Sequence, residues 1–130
     1  MYYENTDGVK ITVTPNYVPE HSYPDISRYL HIYNVKIENT SDSPIQILER
    51  HWVIVDGSGN REEVNGEGII GEQPSLSPGE SFEYSSGCPL TTPTGNMRGS
   101  YTIKLANGKT KKVKIPLFFL RDYDNSETLN

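Results

Sequence analysis

At 130 residues the chain is long enough for one compact domain with a single core. Its net charge of −5 argues against a surface built to coat nucleic acid or anionic lipid, and its one cysteine, Cys88, excludes an intrachain disulfide. No apolar run approaches membrane-spanning length, and the polar, acidic opening MYYENTDG is unlike a signal peptide; the expectation is a soluble cytoplasmic domain without membrane insertion.

Helical spacing of apolar residues is almost absent, whereas short alternating runs recur. VKITVTPNYV sets Val9, Ile11 and Val13 against Lys10, Thr12 and Thr14, as in a half-buried strand. YLHIYNVKIEN places Tyr33, Val35 and Ile37 on one face, and TSDSP at 40–44 then breaks the chain. IQILERHWVIVD gives Leu48, Arg50, Trp52 and Ile54 one face. That face would bury Trp52 and oblige Arg50 to find a carboxylate or carbonyl partner. DGSGN at 56–60 reads as a hairpin loop.

Further on, Pro78-Gly79 makes a tight turn, and Phe82 and Tyr84 alternate along the strand after it. CPLTTPTG reads as a loop containing Cys88. MRGSYTIKL and KVKIPLFFL form two strands around Asn107-Gly108, a strong hairpin signal. Tyr101, on the first of these, joins Val35, Ile37 and Trp52 as expected core. Pro116 cannot donate to a ladder, which places it at an edge or a bulge. The domain is expected to span 1–121, with a polar tail over 122–130. Seven or eight short antiparallel strands make an all-β, immunoglobulin or fibronectin type III-like β-sandwich, with a partly closed barrel as the alternative. Nine tyrosines suit such strand surfaces.

Gly66-Glu67-Gly68-Ile69-Ile70-Gly71 has the G-x-G-x-x-G spacing of a dinucleotide-binding loop. That motif works only where a helix starts on the turn and aims its amides at a pyrophosphate. Here EQPSLSPGE follows, and Pro74, Pro78 and Gly79 forbid a helix of useful length. Glu67 and Glu72 would also repel phosphate. Two readings remain: a backbone nest for a small anion, or bends that carry the chain from one sheet to the other.

The stretch GEGIIGEQPSLSPGESFEYSSGCPLTTPTGNMRGSY, with VKIPLFFL and ETLN after it and YNVKIENTSDSPIQIL and RHWVIVDGSG before it, resembles the bacterial ApaG family over nearly the whole chain. The resemblance implies a fibronectin type III-like sandwich. Related domains end some F-box proteins and occur in a polymerase-delta-interacting protein, where they look like partner-binding modules. It also implies an association with cobalt and magnesium efflux and with a diadenosine tetraphosphate hydrolase, but supplies no catalytic residues. Its G-x-G-x-x-G falls on Gly66, Gly68 and Gly71.

Candidate chemistry beyond this is thin. His21, His31, His51 and Cys88 lack the short ligand spacing of a metal site, so no metal or cofactor is expected. No G-x-S-x-G elbow is present, and Glu62 and Glu63 should point to opposite faces of a strand. Lys104, Lys109, Lys111, Lys112 and Lys114 gather on one hairpin of an acidic chain, either to blunt a sheet edge or to steer an anionic ligand. The expected function is therefore non-catalytic binding of a protein partner. The alternative is a sensor of pyrophosphate or a dinucleoside polyphosphate, using Gly66, Gly68, Gly71, Lys111 and Lys112. An enzyme acting on phosphate anhydrides ranks last.

Overall fold

The structure, a computed structural model, describes residues 1–122. The expected tail lies, from residue 123 on, outside the described residues. Nine strands run in chain order: β1 (Tyr2–Thr6), β2 (Val9–Tyr17), β3 (Tyr29–Asn39), β4 (Ile45–Asp56), β5 (Arg61–Glu67), β6 (Ser75–Leu76), β7 (Ser81–Leu90), β8 (Thr94–Leu105) and β9 (Thr110–Arg121). They form two antiparallel sheets, β1-β2-β3-β7 and β5-β4-β8-β9, with β6 beside β4. The architecture is a β-sandwich with separate sheets rather than a barrel.

Nine strands exceed the expected seven or eight through β1 and the two-residue β6. β1 was hidden by its polarity. It forms because Tyr2 and Thr6 pair with Val13 and Val9 of β2, while Glu4 reaches a lysine on β9.

The core follows period-two burial, since alternate side chains of a strand share one face. Ile11, Val13, Val35, Ile37, Tyr101, Ile103, Val113 and Phe118 are fully shielded or nearly so, and Trp52 is 3 % exposed. Trp52 sits among Tyr33, Tyr101 and Phe118, with ring centroids 5.3, 6.5 and 6.0 Å away. Two irregularities keep long strands in phase with this core. On β4 the register slips between Ile47 and Glu49, so Ile45 and Ile47 face inward before Leu48, and Arg50 and Trp52 face inward after it. On β9 Ile115 pairs with Gly99 and Phe118 with Met97, which leaves Pro116 and Leu117 opposite Arg98 alone. Pro116 therefore lies both on an edge strand and in a bulge, where its missing N–H costs no ladder bond.

Cys88 lies on β7, not in a loop: the loop shrinks to 91–93, because Pro89 is tolerated on an outermost strand. Asn39, wholly buried, donates to the Ser43 and Leu76 carbonyls at 2.9 and 3.0 Å and accepts from Ser41, fixing the β3–β4 turn against β6.

Candidate functional site

The two long sides of the sandwich differ. Along one, β9 packs against both β1 and β2. There the Lys114 amide donates to Thr6 Oγ1 at 3.2 Å, the Lys114 ammonium lies 3.6 Å from Glu4, and Lys111 is ion-paired with Asp7. The lysine hairpin thus spends two of its cations sealing β9 to β1, while Lys112 points to solvent. Along the other side no such close approach joins β5 to β7. That side stands open, and its inward side chains fall into three levels.

At the first level Arg50 lies opposite Gly66 on β5 and Tyr101 on β8. The Tyr101 hydroxyl meets that of Tyr84 on β7. Arg50 Nη1 donates to the Glu67 and Gly68 carbonyl oxygens, each at 3.0 Å, while Nε and Nη2 have no acceptor among the described residues. The guanidinium occupies the space a side chain at Gly66 would need, within 2.6 Å of an added Cβ. At the second level Ser86 of β7 pairs with Tyr33, which packs on Trp52, and Trp52 lies opposite Val64. At the third, Cys88, Ile54 and Glu62 line a cleft of about 320 Å³. Glu62 faces inward, whereas Glu63 faces outward between Arg61, 3.0 Å away, and His51, 3.5 Å away. Hydrogen bonding and charge from Arg61 hold the Glu63 carboxyl below its usual range.

The glycine motif sits at the top of this open side. Gly66 belongs to β5, and the chain then makes an excursion over 68–74 before rejoining β4 as β6. Ile69 and Glu72 exchange hydrogen bonds of 2.7 and 2.9 Å around Ile70 and Gly71, whose φ values are +49° and +75°. This is a two-residue hairpin turn of the primed type. A Cβ at Gly68, φ +60°, would collide with the Glu72 carbonyl oxygen. The Gly68 amide donates to Leu48 O at 2.7 Å, so the amides of residues 68, 69 and 72 are already used within the protein. No helix follows. The motif does not carry the chain between sheets either, because β6 stays beside β4 and the crossing comes after Leu76.

Gly66 lies on β5 with Gly68 and Gly71 just beyond its end, and Lys111 and Lys112 lie on β9, at opposite edges of one sheet with β4 and β8 between them. Three strand spacings separate them, roughly 14 Å, so one small anion does not touch both. A second cleft, about 330 Å³, opens between Asp7, Asp42 and Lys111 over Val9 and Ile103, with Asp7 and Lys111 tied to each other on its rim. The three imidazoles are scattered. His21 is in a short 3-10 turn, and His51 is on the outer face beside Glu63. His31 is buried under the Tyr17 ring, centroids 5.2 Å apart, with Nε2 unpartnered among the described residues, and burial pushes its pKa down to about 4. The described residues hold no group of three or more His, Cys, Asp or Glu side chains placed for a metal. Burial raises the Cys88 thiol to about 11, so it is protonated at neutral pH.

Sequence reasoning missed this open side. One sign of it was available: Arg50 stands on the apolar face of its strand, where a guanidinium must find acceptors.

A family profile described as the ApaG domain matches residues 19–105. Protein ApaG of Methylobacterium sp. (strain 4-46) is 51 % identical over 120 residues, 92 % of each chain. Protein ApaG of Bradyrhizobium diazoefficiens is 45 % identical over 130 residues, the full length of both. The crystal structure of an ApaA protein from Bordetella pertussis superimposes with a TM-score of 0.86 at 47 % identity, covering 92 % of this chain and 94 % of that one.

Proposed function

The chain belongs to the ApaG domain family, and on that premise we propose that it is a non-catalytic, cytoplasmic module that binds a protein partner along the open side between β5 and β7. One observation carries this reading: the four outer strands are unequally protected. β5 holds Arg61, Glu62, Glu63 and Glu67 among its seven residues. β9 has Lys111, Lys112 and Lys114 with the Pro116 bulge, and β1 is sealed onto it. β7 exposes a ten-residue edge with one charged residue, Glu83, and a proline only at Pro89. Charges, prolines, bulges and covering elements are how strand edges are kept from pairing, and over Tyr84–Cys88 the β7 segment carries no charge or proline. Under this reading the family's association with cobalt and magnesium physiology is exercised through the partner.

A photo-cross-linking residue at Ser85, compared with one at Lys112 on the opposite edge, tests the assignment. A reproducible partner captured from Ser85 and not from Lys112 is the expected outcome. Equal capture, or none from either position, removes the reading.

The alternative is a small-anion sensor, and the open donors of Arg50 beside the glycine turn favour it. Isothermal titration with pyrophosphate discriminates the two, since heat at micromolar ligand belongs to the sensor and its absence at millimolar ligand to the module.

A further inference from the structure

The three levels of the open side present a cation, an apolar surface and an anion in sequence. Arg50 offers the Nε and Nη2 donors of its guanidinium, and no carboxylate of the described residues lies within ion-pair distance of it. Val64 is half-buried next to Trp52. Glu62 is exposed, faces inward, and forms no ion pair among the described residues. On β5 these levels are marked by Gly66, Val64 and Glu62, and on β7 by Tyr84, Ser86 and Cys88, two residues apart in each case.

We infer that the partner contributes an extended segment that adds to β7 as a new antiparallel strand, with a basic, an apolar and an acidic residue at alternate positions in that order. This rests on the binding-module reading above. An added strand takes its main-chain hydrogen bonds from the free β7 edge, and alternate side chains supply specificity. β9 packs against both β1 and β2, whereas β5 has no comparable packing on β7; with four strands in each main sheet order, that offset points to β5 lying beyond the β7 edge. A strand laid beside β7 therefore has β5 beneath it.

Side-chain alternation then fixes the pattern. Two residues advance roughly 6.7 Å on any strand, so the levels of the protein and of its ligand stay in step. The ligand residue opposite Cys88 faces Glu62, the one opposite Ser86 faces Val64, and the one opposite Tyr84 faces Arg50. An antiparallel segment passes Glu62 first, giving base-x-apolar-x-acid. Arg50 suits the carboxylate because its planar fork can receive both oxygens.

The probe is the capped peptide Thr-Lys-Thr-Val-Thr-Glu-Thr, with a control in which Lys and Glu trade places. Titration calorimetry reads affinity, and amide NMR reads location. The first peptide should bind more tightly than the control and shift amides of Ser81–Leu90 and Arg61–Glu67. Glu62→Lys, an exposed substitution that leaves the core intact, should weaken the first peptide about tenfold and strengthen the control. Equal binding of the two orders, shifts confined to the lysine hairpin, or no heat at millimolar peptide would each overturn the pattern. If the peptides fail while Ser85 still cross-links a partner, the pattern falls and the module survives. If both fail, both are lost.

Discussion

Tyr84, on the outermost strand of one sheet, and Tyr101, in the interior of the other, join their hydroxyls across the sandwich. Burial pushes both phenols above their ordinary range. Tyr101 has no exposed surface, so its hydroxyl depends on this one contact.

Tyr84→Phe should accordingly cost about 1–3 kcal/mol, the penalty for leaving a buried hydroxyl unpaired. Tyr84→Phe combined with Tyr101→Phe should cost less than the sum of the two single changes. Urea denaturation of the four proteins gives the cycle, and strict additivity would show that the hydroxyls do not depend on each other.

His31 makes the protein sensitive to acid. Its pKa falls from 6.5 to about 4 on folding, chiefly through burial, against a smaller upward pull from Asp122. Above pH 6.5 neither state binds the proton and the full stability is present. As the pH falls from 6.5 towards 4 the unfolded chain takes up a proton that the folded chain refuses, and about 3 kcal/mol is lost. His31→Phe should flatten the fall in urea midpoint between pH 7 and pH 4.5. The carboxylates remain as a common background, so an unchanged slope in the variant would exclude His31 as the cause.

The turn at 69–72 should respond oppositely at neighbouring positions. Gly68→Ala meets both a positive φ and the Glu72 carbonyl, and should cost more than Gly71→Ala, where φ is +75° but nothing lies within 4 Å. The latter should cost about 1 kcal/mol. Ile70→Asn should stabilise by about 1 kcal/mol, because a β-branched residue, 69 % exposed, is replaced by one that accepts φ +49°. Thermal unfolding of the three variants orders them.

Trp52→Ala should be the most damaging single change, at about 3–5 kcal/mol. The indole contacts aromatic rings from both sheets, so its loss opens a cavity at their interface. A shift in urea stability below about 1 kcal/mol would contradict that placement.

Much of this architecture was readable from alternation. Val9, Ile11 and Val13, then Tyr33, Val35 and Ile37, repeat with a period that only strands share. The period alone cannot announce its own interruptions. Nothing in IQIL or KIPLFF declares that Leu48, or the pair Pro116 and Leu117, shifts the phase, although proline hinted at the second. β1 was not legible because its sequence is polar and it is also held by β9, more than a hundred residues away, through the Glu4–Lys114 ion pair and the Thr6 hydroxyl. Beyond Arg50 the open side was hidden for a similar reason: Arg50 and Tyr84 are each brought to Tyr101, one by strand pairing and the other across the sandwich, and composition encodes neither. For Arg50 the sequence demanded a carboxylate or a carbonyl, and the end of β5 at Glu67 and the first residue of the excursion, Gly68, each supplied a carbonyl.

The seam of Glu4 and Asp7 against Lys114 and Lys111 unites the first and the last of the described strands. On the ribosome, residues 2–6 must wait for β9 to emerge before that flank can close. Until then the nascent chain carries two open flanks instead of one.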